Sequence, residues 1–308
     1  MKADKIRGCI YGQAIGDALG LGTEFMTRSE VKKHYPSGLK EYYQIIMDYH
    51  RGRFVRGRWT DDTDMSICIL KGLKSNSEID EDRVAENFKM WADGTPVGIG
   101  RHTYEVLSLQ DYLEDPFEAA RIIWRLSGRK SAGHGGVMRT SAVGLLRENV
   151  LDYSEKICCL THPDPRCIAS CHLISQIINN LVWKGEEMGY DQMLEFRKYD
   201  DEIAQYIVLA RESADIDDLK LDDLPVIGYT YKTLSAALWC LFHCNSFEEA
   251  LLKVVNAGGD ADTNAAVACS VLGAKYGYSS IPQRYIEGLF MRDKFGQFVE
   301  NIVMTLVG

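Results

Sequence analysis

Two short runs of the chain concentrate carboxylates where buried helices are expected to begin. In GGDADTN, residues 258–264, Asp260, Asp262 and Thr263 stand directly ahead of the apolar stretch AAVACSVLGA. In RWTDDTDM, residues 58–65, Asp61, Asp62 and Asp64 alternate with Thr60 and Thr63, and another apolar stretch follows. Burying charge is costly unless the charge is paired or bound to a metal. Helix capping explains one Asp or Thr at each start, and the helix dipole favours acid there. Three carboxylates within four residues exceed that need. In a regular helix residues i and i+2 point to different sides, so Asp260 and Asp262 converge only if the turn bends around something. Oxygen donors suit a hard cation such as Mg2+, Mn2+ or Ca2+. Two such clusters together can hold two metals, a known catalytic arrangement. An EF-hand counted from Asp260 would need glycine and glutamate where Ala265 and Val271 stand, so that motif is excluded.

Further segments carry chemistry less specifically. GCIYGQAIGDALGLGTEF, residues 8–25, repeats Gly8, Gly12, Gly16 and Gly20 at intervals of four, with Asp17 and Glu24 among small apolar residues. That spacing predicts a helix that packs very closely on its neighbours, and G-x-G-x-x-G is absent. SAGHGGVMRT, residues 131–140, reads as a glycine-rich loop leading into an apolar helix. Such a loop exposes backbone N–H groups that can cradle phosphate. HRGRFVRGR, residues 50–58, is a basic loop open to two readings, one that meets phosphates and one that is solvated, and the sequence favours the solvated one. The cysteines near His162 and His172, and those flanking His243, contain no C-x-x-C pair and read as small core residues rather than zinc ligands.

The elements that must position these residues are helical. Apolar residues recur at helical spacing in 62–73, 168–184 and 231–242, and 118–126, 283–290 and 296–306 are further helix candidates. Strand-like alternation is scarce and only 7 prolines interrupt the chain. The expectation is an all-α fold, a compact bundle of many helices in a single domain over residues 1–308. The most polar segment, 212–225, is expected as a solvated loop or short helix. With 46% hydrophobic residues the chain can bury a large core. A net charge of −9 argues against an extended nucleic-acid surface or an acidic membrane as partner. No apolar run reaches the roughly 20 residues of a membrane helix. The opening MKADKIRGCIYGQ has no apolar signal core, and the odd count of 9 cysteines fits reduced thiols, so the expected location is the cytoplasm.

Taken together, GCIYGQAIGDALG, WTDDTDM, SAGHGGVMR, GYTYKTLSAALWC and NAGGDADTNAAVACSVLGAKYG resemble, in order, the blocks of the ADP-ribosylglycohydrolase family. The resemblance implies an all-α bundle with a central cleft that holds two Mg2+ or Mn2+ ions. It implies Thr60, Asp61 and Asp62 as metal ligands on one side, and Asp260, Asp262 and Thr263 on the other. It places Glu24 beside the metals, and Ser131, Gly133, Gly135 and Gly136 on a pyrophosphate, with His134 where the family usually has asparagine. His162 falls near the distal ribose and phosphates, and Tyr229 against the adenine. The implied reaction is release of ADP-ribose by metal-activated water attacking C1″, with Glu24 or Asp61 accepting the proton. The implied partner is an ADP-ribosylated protein or other acceptor, modified arginine foremost, and a monomer is expected. One departure bears on the acceptor: Gly98 in PVGIGRHT replaces an aspartate frequent in arginine-specific relatives. The alternatives are another ADP-ribose linkage, on serine, a nucleic-acid base or an acetyl group, or a protein that binds the nucleotide without turnover.

Overall fold

The computed structural model describes all 308 residues. Fifteen α-helices follow one another: α1 (Lys2–Gly20), α2 (Arg28–His34), α3 (Asp61–Leu70), α4 (Glu81–Asp93), α5 (Arg101–Leu107), α6 (Pro116–Leu126), α7 (Val150–Cys159), α8 (Pro165–Asn179), α9 (Tyr190–Leu194), α10 (Ile203–Glu212), α11 (Thr230–His243), α12 (Phe247–Val255), α13 (Ala261–Tyr276), α14 (Gln283–Glu287) and α15 (Arg292–Val307). There is no sheet. Bridges pair only Met26 with Gly259, Leu73 with Ile79, and Gly133 with Tyr229. The fold is all-α, as the periodicity predicts.

The centre is an antiparallel pair, α1 against α13. Both helices are buried on every side over most of their length, the pattern of a core helix rather than a surface one. The four-residue glycine spacing of α1 finds its partners at four-residue spacing on α13. A Cβ added to Gly8, Gly12, Gly16 or Gly20 would meet the carbonyl oxygen of Gly273, Cys269, Ala265 or Ala261, at 2.2, 2.1, 2.2 and 2.5 Å respectively. The two backbones therefore touch directly. Helices α11 and α12 pack on the other sides of α13. One contiguous cluster of 87 buried apolar residues surrounds this pair.

Local signals set the helix ends. Asp115 and Asp164 cap α6 and α8, accepting from the N–H of Glu118 and Arg166, each with proline at the next position. Helix α8 continues into a π-turn over Asn180–Lys184 and stops at Gly185, whose φ is 75°. The segment 212–225 forms two short 3-10 turns, Ile216–Leu219 and Leu224–Val226.

Two expectations fail. The apolar stretch after SAGHGGVMRT is a 3-10 turn, Thr140–Leu145, not an α-helix. Side chains of the α8 segment take its carbonyls: Ser175 Oγ donates to Thr140, Trp183 Nε1 to Leu145 and Asn179 Nδ2 to Leu146. These tertiary bonds override a helical preference. Nor is 50–58 solvated throughout: Gly52, Arg53, Val55 and Arg56 are exposed, but the rest is drawn in. Arg51 is 4% exposed and Phe54 5%. Arg51 pairs with Asp48 and donates to the carbonyls of Gly22 and Glu24, which binds the loop to the segment after α1.

Candidate active site

The first carboxylate cluster is built on Asp17. This residue lies in the last turns of α1 and is fully buried. Its Oδ1 accepts from the N–H and hydroxyl of Thr60, both at 2.8 Å. Its Oδ2 accepts from the N–H of Thr63 at 3.0 Å and the Thr63 hydroxyl at 2.6 Å. Asp17 thus caps α3 from another helix, with all four acceptor positions of its carboxylate in use. Asp64 faces away from the cluster, receiving the indole N–H of Trp59 at 2.8 Å and of Trp91 at 3.2 Å.

The second cluster depends on Gly258 and Gly259, with φ of 75° and 73°. A Cβ at either would collide with a carbonyl oxygen, Met26 at 2.4 Å or Leu221 at 2.1 Å. The Phe25 N–H donates to Gly259 O at 2.6 Å, and the Gly259 N–H donates to Met26 O at 2.8 Å. Glu24 is thereby stitched beside Asp260. Asp260 has φ −83° and ψ 69° and precedes the first helical residue, so the bend needed for it to meet Asp262 is present.

The two clusters meet. Carboxylate oxygens of Asp17, Asp62 and Asp262 lie within 4.8 Å of one another, as do those of Glu24, Asp260 and Asp262. Burial pushes Asp62 and Asp262 well above the ordinary carboxylate range, and neighbouring carboxylates add to it. Burial also raises Asp61 and Glu24, and for Glu24 a hydrogen bond from His50 opposes the rise. Asp62 Oδ1 and Asp262 Oδ1 are buried with no hydrogen-bond partner. Such orphaned acceptors are costly unless something positive meets them. Oxygen-only donors of this kind fit a hard divalent cation. Asp17, its oxygens already occupied, holds the ligands rather than joining them.

The clusters form the floor of a cavity of about 700 Å3, within the size range of small-molecule sites. Thr60, Asp61, Asp62, Asp260, Asp262, Thr263 and Glu24 all line it. On one side stand Gly133, His134 and Gly135 with His102 and His162. The two imidazoles lie 4.7 Å apart at 56°. Burial holds His162 well below the ordinary histidine range and lowers His102. His134 Nε2 is 3.4 Å from Asp260 Oδ2, and its Nδ1 is 3.3 Å from the Thr233 hydroxyl. Ser131, Gly136 and Tyr229 stand outside this wall. Ser131 contacts His102 Nδ1 at 3.1 Å. Gly136 packs inward, where a Cβ would come within 2.8 Å of Cys158 Sγ. Tyr229 pairs through its backbone with Gly133 and donates its hydroxyl to Glu202 at 2.8 Å.

The opposite side comes from residues that sequence reasoning passed over. Phe25, His50, Arg53 and Phe54 line it. The guanidinium of Arg53 donates to His50 Nδ1 at 2.8 Å, which leaves Nε2 to donate to Glu24 Oε2 at 2.6 Å. The Phe25 ring lies 5.5 Å from the His50 ring, on a backbone with φ of 59° and with 53% of the residue exposed. A Cβ at Gly98 would reach Asp61 Oδ1 at 3.7 Å and Phe54 Cζ at 3.8 Å, so the missing side chain opens a gap between acid and ring. The basic residues that flank the single Phe54 in HRGRFVRGR were the signal available for this wall.

The family model described as ADP-ribosylglycohydrolase matches residues 1–307. Among curated proteins, the chain is 26% identical to the ADP-ribosylarginine hydrolase Tri1 of Serratia proteamaculans, over 97% of this chain and 79% of that protein. It is 27% identical to the ADP-ribosyl-[dinitrogen reductase] glycohydrolase of Rhodospirillum rubrum, over 94% and 91%. It is 23% identical to the human ADP-ribosylhydrolase ARH3, over 97% and 93%. A solved chain from an ADP-ribosylglycohydrolase-related protein complex superposes with a TM-score of 0.78 over 99% of both chains at 24% identity, a likeness of fold. No helix is long and apolar enough to cross a membrane.

Proposed function

The chain belongs to the ADP-ribosylglycohydrolase family, whose members hydrolyse glycosidic bonds, and from this we propose that it releases ADP-ribose from a modified acceptor, ADP-ribosylated arginine on protein foremost. We assign two Mg2+ or Mn2+ ions to Thr60, Asp61 and Asp62 on one side and Asp260, Asp262 and Thr263 on the other, within one domain over residues 1–308. The observation that carries this reading is the pair of orphaned oxygens, Asp62 Oδ1 and Asp262 Oδ1, at the floor of the cavity.

Divalent cations bound there supply ligation of vicinal sugar hydroxyls and acidification of water. The chain's own residues do the rest. Breaking the bond at C1″ develops positive charge on the sugar, and the carboxylates of Glu24 and Asp61 stabilise it. Burial raises Glu24 while the N–H of His50 orients it, which suits a group that accepts a proton. His162 and the N–H groups of Gly133 and Gly135 hold the diphosphate, the His134 N–H being spent on the Gly228 carbonyl. The exposed ring of Phe25 accepts a planar cation such as guanidinium, while the Phe54 ring already carries that of Arg53. Gly98 favours a second reading, cleavage of a different ADP-ribose linkage, because that position offers no carboxylate to a cationic acceptor.

The test is release of ADP-ribose from an arginine-modified protein, with serine-, thymidine- and acetyl-linked ADP-ribose in parallel. Activity should require Mg2+ or Mn2+ and vanish in Asp62→Ala and Asp260→Ala. Turnover that survives complete chelation would sink the reading. Tight binding of ADP-ribose without turnover of any linkage would instead indicate a binding protein.

A further inference from the structure

Arg139 is fully buried and has no carboxylate partner. Its guanidinium lies 4.6 Å over the Phe88 ring, and its Nε has no acceptor. Nη2 donates to the Ile157 carbonyl at 3.2 Å and to the Thr161 hydroxyl at 2.7 Å. A buried cation so poorly paired is expensive to keep, and the reading of the site above gives it no task.

Its neighbour supplies one. Thr161 is fully buried, and its Oγ1 lies 2.7 Å from His162 Nδ1. Guanidinium can only donate, so the Thr161 oxygen accepts from Arg139. The Thr161 proton then has one acceptor within reach, the lone pair of His162 Nδ1. The opposite arrangement, with Nδ1–H donating to Thr161, would leave the hydroxyl proton buried without a partner, a cost the observed arrangement avoids. The main chain of the same residue fixes the second histidine. A carbonyl only accepts, so the contact of 2.9 Å between His102 Nε2 and Thr161 O is an Nε2–H donation. His102 Nδ1 accepts in turn from Ser131.

We propose that Arg139 and Thr161 are positioning residues that lock His162 in its neutral Nε2–H tautomer and aim that N–H, the one imidazole proton of the pair not consumed inside the protein, at an anionic oxygen beside the 133–135 loop. His162 Nε2 makes no hydrogen bond within the protein, and His162 lines the cavity. A Cβ on Gly135 would fall 2.7 Å from Nε2, and one on Gly133 3.8 Å from it, so these glycines keep the donor uncovered. Arginine is the residue that makes the relay one-directional. A serine, tyrosine or water in its place could reverse and let the imidazole turn its proton inward. The fixed positive charge behind the ring also opposes protonation of His162 and favours an anion in front of it. The tautomer assignment stands on hydrogen-bond geometry alone; its use on a phosphate oxygen rests on the proposed function.

The test combines two measurements on the full chain. Protein labelled with 15N-histidine reports the tautomer of His162 from its two ring-nitrogen shifts, with no ligand present. Wild type and Thr161→Ser should show the Nε2–H form at neutral pH; Thr161→Val should show a mixture or the Nδ1–H form, with its melting transition still cooperative. Calorimetry with ADP-ribose as the probe should show affinity about tenfold weaker in Thr161→Val, in line with one charge-assisted hydrogen bond, and restored in Thr161→Ser. An Nδ1–H or protonated His162 in wild type overturns the assignment, even if no variant folds. A tautomer that moves as stated while ADP-ribose binding stays equal overturns the aim at the anion. A wild type that does not bind ADP-ribose contradicts the proposed function and the aim at a phosphate oxygen, while the spectra still decide the relay.

Discussion

Replacing Gly16 by alanine sets two well-known effects against each other, and the structure decides the sign. In an exposed helix interior the change stabilises by up to about 1 kcal/mol, because alanine is the better helix former. Here the new Cβ would stand 2.2 Å from the carbonyl oxygen of Ala265, 2.5 Å from its carbon and 2.9 Å from the nitrogen of Ala266. All three are backbone atoms of α13, so no side chain can rotate away and the helices must part by about an ångström. Overpacking of this kind costs about 1–3 kcal/mol. With the cost at the upper end of that range, because only backbone is met, and net of propensity, Gly16→Ala should lose about 2 kcal/mol, read from urea unfolding by circular dichroism. With an unfolding entropy of about 2.1 cal/mol/K per residue, that is roughly 3 °C in Tm. Gly296→Ala is the control. It lies inside α15, where the nearest atom to a new Cβ is the Tyr11 hydroxyl at 3.1 Å, and it should be neutral or stabilising. Gly16 also precedes Asp17, whose four accepted hydrogen bonds hold the start of α3, so divalent-cation affinity should fall along with stability. A Gly16→Ala protein as stable as wild type would refute the account of α1 and α13 as a backbone-to-backbone pair.

Other consequences are open to measurement. Adding Mg2+ or Mn2+ at a hundred times its dissociation constant should raise stability by about 2.7 kcal/mol, roughly 4 °C in Tm; Asp62→Asn combined with Asp262→Asn should abolish the rise, and an unchanged rise would place the ion elsewhere. Asp17→Asn removes a buried charge that burial pushes up to about 7, but it also gives up two of four accepted hydrogen bonds. Its Tm should change little while Mn2+ affinity by calorimetry falls at least about tenfold, and equal affinity would show that Asp17 does not hold the ligands. Burial lowers His172 to about 4, below the unfolded value near 6.5, so the folded state binds fewer protons and its stability drops as pH falls through that window. Between pH 7 and pH 5 this group should cost wild type about 2 kcal/mol, a loss that urea titrations of His172→Gln should not show. Phe25→Gly relieves a left-handed backbone and removes a ring, so stability should hold, while kcat/KM on an arginine-linked substrate drops about two- to fivefold and inhibition by ADP-ribose stays constant; a parallel loss in both would move Phe25 to the nucleotide side.

What was legible in the sequence follows from range. The periodic apolar positions of α8 and α11 lie within single helices, and their helices form where the pattern puts them. Asp61, Asp62, Asp260 and Asp262 announced themselves because so many carboxylates at a helix start have no local explanation. Long-range polar bonds were the obstacle elsewhere. Nothing local in TSAVGL says that Ser175, Trp183 and Asn179 will take its carbonyls. Nothing in HRGRFVRGR says that Arg51 will be drawn inward by the carbonyls of Gly22 and Glu24, carrying His50 to Glu24. No local signal marks the role of Asp17, because both of its hydrogen-bonding partners lie more than forty positions away.

The glycine spacing of α1 and the acidic clusters are one device. The partner numbers fall by four on α13 each time they rise by four on α1, so four contacts fix a single register. Sliding by one residue would displace the helix by about 1.5 Å and turn Cys9, Gln13 and Asp17 toward carbonyls that now meet glycine. The same slide would separate the end of α1 from the start of α13, which are the points where Glu24 and Asp260 enter the site. Those two carboxylates stand within 4.8 Å of a shared partner, Asp262; mutual repulsion would drive them apart in a loosely packed pair. Like charges can be stored so close before a cation arrives only on a frame that cannot slip, and a helix pair in backbone contact along its length is such a frame. Enlarging any glycine of the row should therefore damage cation binding even where it lies far from the carboxylates, with Gly8, at the opposite end of α1, the most demanding case: Gly8→Ala should weaken Mn2+ binding although every proposed ligand is untouched, and unchanged affinity would show that register is set elsewhere.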